Sequence, residues 1–249
     1  MAGSETVTVS SDTVGTLIFG NNGGASGASW VLNASTLTLA TSSGTPTITA
    51  NVLAGGGTNV IGTTSVHGTQ GFNLNGGGIL YLNSALTSLS NNVTVESGTL
   101  YLNAVDASGD NGVNEFIVGD PSGGNATLML GPTAHFALST PIVVPTNAVG
   151  TVTIGQTGST HSTFGGPIIL NGPTLTIANS ATGSSATLDV SGGVTGVGNL
   201  ILLDNGGTAA VLTVQTTNIN NSGTLTLSGR MFQRSCQSRL RSKLWDCLK

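Results

Sequence analysis

Gly78-Ile-Leu-Tyr-Leu-Asn83 and Gly98-Thr-Leu-Tyr-Leu-Asn103 are the clearest copies of a unit that recurs along this chain. In each copy apolar residues alternate with other residues. Leu80 and Leu82 therefore point to one side of a strand and Tyr81 to the other. β-branched residues are frequent in these units, and Gly, Asn or Pro bounds them, which is typical of strands. The pattern predicts strands rather than helices.

The two copies begin at Gly78 and Gly98, with only a short connection between them. If one full coil of a solenoid separates them, equivalent residues come into register on neighbouring coils. We therefore predict that Tyr81 stacks on Tyr101 outside the same face. Asn83 and Asn103 should form an amide ladder at the corner next to the rings.

Further copies of the unit extend this pattern over most of the chain. They are Ser35-Thr-Leu-Thr-Leu39, Ala126-Thr-Leu-Met-Leu-Gly131, Gly150-Thr-Val-Thr-Ile-Gly155, Pro173-Thr-Leu-Thr-Ile177, Ala186-Thr-Leu-Asp-Val-Ser191 and Gly223-Thr-Leu-Thr-Leu-Ser228. Internal repetition of this kind is typical of solenoids and other repeat architectures.

The spacing of the copies separates a solenoid from a sandwich. One copy follows another after roughly 20–28 residues, a period typical of solenoids, along Leu80, Leu100, Leu128, Val152 and Leu175. Half-steps separate Leu175 from Leu188 and Leu212 from Leu225. A β-sandwich or antiparallel barrel, which is the alternative, would favour turn signals about every 8–12 residues. The longer steps favour a parallel coil with two or three strands per turn, and we predict that Leu80, Leu82, Leu100, Leu102, Leu128 and Leu130 point inward.

The composition supports a folded body with few charged residues. Gly supplies 38 of 249 residues, charged residues are 6% and hydrophobic residues are 38%. Ordinary globular proteins carry about 25% charged residues. A disordered chain would combine low hydrophobicity with high charge, so this composition predicts a collapsed chain. Thr, Ser and Asn then supply its solubility.

The charges are divided sharply between the body, at residues 1–229, and the tail, at residues 230–249. All six cations lie in the tail: Arg230, Arg234, Arg239, Arg241, Lys243 and Lys249. The body holds nine acids and no Lys or Arg. A body without cations cannot neutralise a phosphate backbone, so we predict that it binds no nucleic acid. Since no apolar stretch reaches about 18 residues, we also predict no membrane insertion by this segment.

Two segments of the body resemble a known family. Ser97-Gly-Thr-Leu-Tyr-Leu-Asn103 and Val194-Thr-Gly-Val-Gly-Asn-Leu-Ile-Leu202 look like autotransporter-associated β-strand repeats. Phe116-Ile-Val-Gly-Asp-Pro-Ser-Gly-Gly-Asn-Ala-Thr-Leu128 is similar to a related secretion-associated repeat. The resemblance covers roughly residues 5–229. It implies an all-β, right-handed parallel β-helix from a bacterial passenger domain, secreted or on the outer cell surface.

The chain divides into a repeat domain at residues 1–229 and a basic tail at residues 230–249. The N-terminus shows no secretion signal, so the body is expected to be a mature or truncated fragment of a longer passenger. Apolar residues recur every four positions along the tail, as Phe232, Cys236, Leu240, Leu244 and Leu248. The tail is either a short helix that caps the open end of the solenoid or a non-native segment. Its abrupt change of composition favours the non-native segment.

Local catalytic and metal motifs are missing from the sequence. His67, His135 and His161 are isolated from one another and from cysteine, so no zinc site is predicted from neighbouring ligands. Asp189 is the only acid at the outward position of a repeat strand. Glycoside hydrolysis requires two carboxyl groups across a groove, and a lyase typically requires a Lys or Arg base. We therefore predict no enzyme activity and no cofactor, with a β-helix polysaccharide-active enzyme as the alternative.

Two binding hypotheses remain. Four acids on the longest step between copies, Asp106, Asp110, Glu115 and Asp120, could hold calcium through carboxylate oxygens, although they could equally form a solvated loop. Paired threonines could form an outer array that orders water, which would give an ice-binding module: Thr36 and Thr38, Thr45 and Thr47, Thr151 and Thr153, Thr174 and Thr176, Thr224 and Thr226. The simpler interpretation is that Thr tolerates water on a strand.

We therefore expect a non-catalytic structural or adhesive scaffold. Its partners would be glycans or cell surfaces, because surface loops carry recognition in such folds.

Overall fold

The computed structural model describes residues 4–20, 27–62, 65–104, 113–131, 136–158, 161–183, 186–207, 210–214 and 219–229. These residues form an all-β solenoid of parallel sheets with about eight turns, which confirms the predicted parallel β-helix. A single 3-10 turn at Ala54–Gly56 is the only helical element among the described residues. The tail at residues 230–249 lies outside the described residues. The right hand of the coil stays a prediction from the resemblance.

Each coil carries up to three strand positions, which define three faces of the rod. The first face holds β1 Glu5–Val14, β3 Trp30–Leu39, β5 Asn59–Ile61, β8 Ile79–Leu82, β11 Gly98–Leu102, β13 Ala126–Leu130, β16 Val152–Gln156, β19 Leu175–Asn179, β22 Leu200–Asp204 and β25 Leu225–Gly229. The second face holds β6 Ser65–Gly68, β9 Ala85–Leu89, β14 Phe136–Leu138, β17 Ser162–Phe164, β20 Thr187–Val190 and β23 Val211–Val214. The third face holds β2 Thr16–Phe19, β4 Thr47–Ala50, β7 Phe72–Asn75, β10 Asn91–Val95, β12 Val113–Val118, β15 Ile142–Val144, β18 Ile168–Asn171, β21 Val194–Val197 and β24 Ile219–Asn221.

The third face is one continuous parallel sheet of nine strands, one from each successive coil. Neighbouring strands are spaced about 4.8 Å apart, so the eight steps between its nine strands give this sheet a length of about 38 Å along the rod. Near the N-terminus β3 spans two faces. Its first residues pair with β5 and its later residues pair with β6, so one long strand continues around the corner.

The core consists of columns of apolar side chains that stack along the rod. Leu80 pairs in register with Leu100, and Leu100 with Leu128. All six leucines that the sequence predicts to be inward are fully buried: Leu80, Leu82, Leu100, Leu102, Leu128 and Leu130. Fully burying one leucine stabilises a fold by about 1.5–3 kcal/mol. Repetition of these columns therefore supplies the driving force for stacking in a body that has no Lys, Arg or Cys.

The register differs from the sequence alignment at one step. Alignment of the repeat units matched Leu128 with Val152, whereas the structure pairs Leu128 with Ile154 and pairs Val152 with Ala126. A shift by two residues keeps the same side chains inward, so period-2 alternation cannot detect it. Only the length of the intervening connection decides between the two registers.

Copies of the same repeat unit lie on different faces. Leu37 belongs to the later half of β3 and pairs with Val66 of β6, whereas Leu100 lies on the first face. The half-step from Leu175 to Leu188 runs from β19 on the first face to β20 on the second. Each half-step therefore connects two strands on different faces of the rod. This agrees with the prediction that one turn contains two or three strands.

Gly98, which begins one of the two clearest copies, is required at its position. Its φ is +88°, a conformation that favours glycine. A Cβ at Gly98 would lie 2.5 Å from the backbone oxygen of Gly78 on the coil below. The leading glycine of the unit therefore allows two backbones to approach closely at the corner before the first face.

Candidate functional site

The outer surface of the first face carries the predicted aromatic pair and amide ladder. The ring centroids of Tyr81 and Tyr101 lie 4.5 Å apart with an interplanar angle of 6°. Asn103 Nδ2 donates to Asn83 Oδ1 at 2.8 Å. Both predictions are confirmed. Burial, followed by the neighbouring Tyr81, raises the pKa of the Tyr101 hydroxyl.

This stack belongs to a longer column of outward side chains. Tyr81 pairs in register with Val60, and Tyr101 with Met129, which is 5% exposed. The rings therefore bind neighbouring coils to each other within a column. A sugar platform would need a ring face turned to solvent, and these ring faces turn along the rod.

Asp189 pairs with a histidine on the coil below. His161 Nε2 lies 2.8 Å from Asp189 Oδ2. Thr163 Oγ1 lies 3.3 Å from the same His161 nitrogen. Nothing in the sequence associates these residues, because only the parallel pairing of Thr163 with Asp189 brings the two coils together.

This histidine group does not have the geometry of a nucleophile relay. In such a relay the carboxylate holds one imidazole nitrogen while the hydroxyl contacts the other. Here Asp189 and Thr163 share His161 Nε2. The arrangement joins two coils instead of preparing a hydroxyl for attack. His67 makes a comparable local contact, since its Nε2 lies 2.7 Å from Ser65 Oγ.

The predicted calcium cluster is described only in part. Asp106 and Asp110, like His135, lie outside the described residues. Glu115 Oε1 accepts from Asn92 Nδ2 at 2.8 Å. Asp120 Oδ1 accepts from the backbone N–H and hydroxyl of Ser122 at 2.7 and 2.6 Å. Among the described residues no group of three or more His, Cys, Asp or Glu side chains could hold a metal ion. Calcium binding stays an alternative hypothesis, and the absence of a cofactor stays the prediction.

Glu96 and Asp120 form an acid pair that the sequence did not reveal. Burial is the main factor that raises the pKa of Glu96, and the nearby Asp120 charge raises it further while Asn75 opposes the shift. Hydrogen bonds from Ser122 lower the pKa of Asp120. Opposed pKa shifts in a carboxyl pair are the arrangement that acid–base hydrolysis uses. The signal in the sequence was that each of these acids lies just beyond the end of a third-face strand.

An interior column on the first face changes from apolar to polar along the rod. In chain order its members are Leu32, Ile61, Leu82, Leu102, Leu130, Gln156, Asn179 and Asp204. Gln156 and Asn179 are fully buried, and Asp204 is 2% exposed. Gln156 Nε2 donates to Asn179 Oδ1 at 3.0 Å, and Asn179 Nδ2 donates to the Val211 carbonyl oxygen at 3.0 Å.

Asp204 ends this interior polar ladder. Its Oδ1 accepts from the Gly206 backbone N–H at 3.3 Å. Burial raises the pKa of the Asp204 carboxyl, while hydrogen bonds from backbone N–H groups of Gly206 and Leu212 oppose the rise. A polar residue at the fifth position of three successive first-face strands was the sequence signal for this ladder. A slip would break the amide bond from Gln156 to Asn179, so the ladder favours this register, even though Gln156 Oε1 is buried without a partner among the described residues.

The outer surface of the first face contains part of the threonine array that the ice-binding hypothesis requires. One outward column of the first face contains threonine in four successive coils: Thr99, Thr127, Thr153 and Thr176. Ile201 then interrupts the column before Thr226. The adjacent column contains Tyr101, Met129, Gly155 and Ala178, so the threonines form a single row. Ice binding stays a prediction.

Comparison of the chain with protein-family models, with curated proteins and with solved structures finds no match in any of the three. The resemblance to autotransporter-associated repeats therefore stays a prediction from the quoted residues. In the described part of the chain, no helix has the length and apolar character needed to cross a membrane.

Proposed function

We infer that this chain is a non-catalytic β-solenoid scaffold of the autotransporter passenger type, secreted or exposed on the outer surface of a bacterial cell. Its task is mechanical and adhesive. The stacked coils form a stiff rod that holds surface loops at fixed positions, where they meet glycans or cell surfaces.

The observation that carries this proposal is that the outer polar side chains form hydrogen bonds between neighbouring coils. They bond from coil to coil: Asn103 to Asn83, Thr49 Oγ1 to Asn75 Oδ1 at 2.8 Å, and Asn92 to Glu115. Such groups in an enzyme would converge on a substrate position. Here they add lateral bonds to the backbone ladders, which is what a load-bearing rod requires.

The interior supports the same proposal. Buried apolar columns continue from coil to coil, and the interior polar ladder of Gln156, Asn179 and Asp204 fixes the register where the apolar column ends. Each coil contacts mainly its two neighbours, so stability and stiffness grow with the number of coils. The loops between strands can then vary without loss of the rod, and recognition is placed there.

Adhesion and catalysis are tested on the same purified chain. Immobilised protein is screened against a glycan array and against cultured cells, with heat-unfolded protein as the control. We expect retention of a defined glycan class or cell surface by the folded rod alone. Equal retention by the unfolded protein would contradict an adhesive rod.

The competing enzyme function is tested on pectin, alginate and xylan. We expect no reducing-end or unsaturated product above the buffer control. Turnover by the parent chain that disappears in Glu96→Gln or Asp189→Asn would contradict the scaffold proposal, provided that the circular dichroism spectrum of the variant is unchanged. The chain would then be a polysaccharide-active enzyme. Thr176→Val is the matched control, because it removes an outward hydroxyl from the first face and alters neither a carboxylate nor the contacts of His161.

A further inference from the structure

The last described coil exposes side chains that belong to the core. Leu225 and Leu227 of β25 are 45% and 49% exposed, whereas Leu200 and Leu202, their in-register partners on the preceding strand, are buried. The strands β23, β24 and β25 each lie at the edge of a sheet, with one side unpaired among the described residues. An edge of this kind presents free N–H and C=O groups to another chain.

The first coil exposes the other end of the same core. Val7 of β1 is 49% exposed, and it pairs in register with Leu32, which begins the inward column that continues at the buried Ile61. A cavity of about 350 Å³ with a mainly apolar lining lies beside Val7. Within the described ranges β1 pairs only with β3, and β2 is the outermost strand of the third face. This end therefore lacks the next apolar layer as well.

The strands at the two ends match in position and direction. β1 pairs along the whole of β3, so it crosses the first and second faces, and β2 lies on the third. At the other end β25, β23 and β24 lie on the same three faces. Because all these sheets are parallel, a translation along the rod would stack the first coil of a second copy on the last coil of this one. Two like ends could meet only after one copy is turned over, which reverses its strands.

The charges also favour contact between unlike ends. β1 carries Glu5 and Asp12, and the body contains no Lys or Arg. Residues 230–249 follow β25 directly and contain six cations and one acid. Contact between unlike ends brings this basic segment near the acidic β1 of the next copy. Contact between like ends would bring charges of the same sign together.

We propose that a second copy of this chain binds head to tail, with the first coil of one copy stacked on the last coil of the other. The exposed leucines of β25 and Val7 of β1 then become core, and the edge strands gain backbone partners. The contact joins two different surfaces and leaves one of each free, so it continues into an open filament. The proposal is independent of adhesion, because it needs only the two ends of the rod.

The size of the contact sets its strength. The edge strands β23, β24 and β25 contain four, three and five residues. A standard stable interface uses about 20–30 residues on each side. We therefore expect a reversible association that depends on protein concentration. Sedimentation velocity of the full chain over a concentration series measures it, with a reductant present so that Cys236 and Cys247 cannot cross-link copies.

Two variants each block one end. Val7→Asn and Leu227→Asn replace a half-exposed apolar side chain by an amide that the contact would bury without a partner. Each variant alone should associate about 10-fold more weakly than the parent or less, since every head-to-tail contact then contains one altered end. Val149→Asn is the matched control, because Val149 is 44% exposed between β15 and β16 in the middle of the rod. It should associate as the parent does.

Mixing the two end variants tests the head-to-tail geometry itself. Val7→Asn keeps an intact last coil and Leu227→Asn an intact first coil, so a 1:1 mixture should form dimers and no longer species. Circular dichroism confirms the fold of each variant, and threonine replaces asparagine at either position if the fold is lost. A parent that stays monomeric at every concentration would refute the proposal. Parent-like association of either end variant alone, or a mixture without dimers, would refute it equally.

Discussion

Replacing Leu100 by alanine removes one rung from the central apolar column of the first face. Leu100 is fully buried and lies in register between Leu80 and Leu128, which are also fully buried. Leu→Ala substitutions in protein cores cost about 2–5 kcal/mol, because the lost transfer free energy adds to the cost of the remaining cavity. The backbone of Leu100 is hydrogen-bonded to a coil on each side, so the site cannot collapse. We therefore expect a loss toward the upper end of that range, about 3–5 kcal/mol.

The free energy of unfolding is measured by equilibrium denaturation in urea, followed by circular dichroism. In a rod whose coils contact mainly their neighbours, a weakened interface can also divide the unfolding into two steps. A lower midpoint together with a smaller apparent m value would reveal that division. Thr99→Ala is the matched control, because Thr99 lies next to Leu100 on the same strand and points outward. We expect it to cost about 1 kcal/mol or less. If both variants lose the same free energy, the inward–outward assignment of this strand is wrong.

Three further outcomes follow from the same contacts. A double-mutant cycle on Tyr81→Ala and Tyr101→Ala should give a coupling free energy of about 0.5–1.5 kcal/mol in denaturation experiments, and a coupling near zero would contradict the stack. Because burial raises the folded-state pKa of Asp204 above its ordinary value of 3.8, its contribution to stability is full below that pH and is lost as the pH rises through the folded-state pKa. Asp204→Asn should therefore gain stability relative to the parent as the pH rises from acid to neutral in melting experiments, and a pH-independent difference would exclude the burial effect. Trypsin should trim the chain rapidly to a stable core that ends near Arg230, since every Lys and Arg lies in residues 230–249; resistance of the tail, with aggregation after its deletion, would identify it as a folded cap.

The sequence alone determined the architecture and the direction of its side chains. Period-2 alternation is a local property of a strand, so it identified Leu80 and Leu82 as inward before any tertiary contact was known. The identical Leu-Tyr-Leu-Asn sequences around Tyr81 and Tyr101 also indicated how the two strands align. The connection between them is short, and the same residues occur in both strands. The aromatic stack and the amide ladder followed from that single spacing.

For the other coils, only the tertiary structure showed which residues pair with each other on neighbouring strands. Steps between paired residues differ along Leu80, Leu100, Leu128 and Ile154, because the connections between strands differ in length. Alternation allows a two-residue slip, and backbone pairing across coils selected Ile154 instead of Val152. The same long-range pairing brings His161 to Asp189.

The interior polar ladder depended on tertiary structure for a related reason. Alternation places Gln156, Asn179 and Asp204 inward, two residues after Ile154, Ile177 and Leu202. Only the structure shows that these polar side chains stay buried there and that an amide bond joins two of them across coils. The buried Trp30 Nε1, which has no acceptor among the described residues, is likewise visible only in the folded chain.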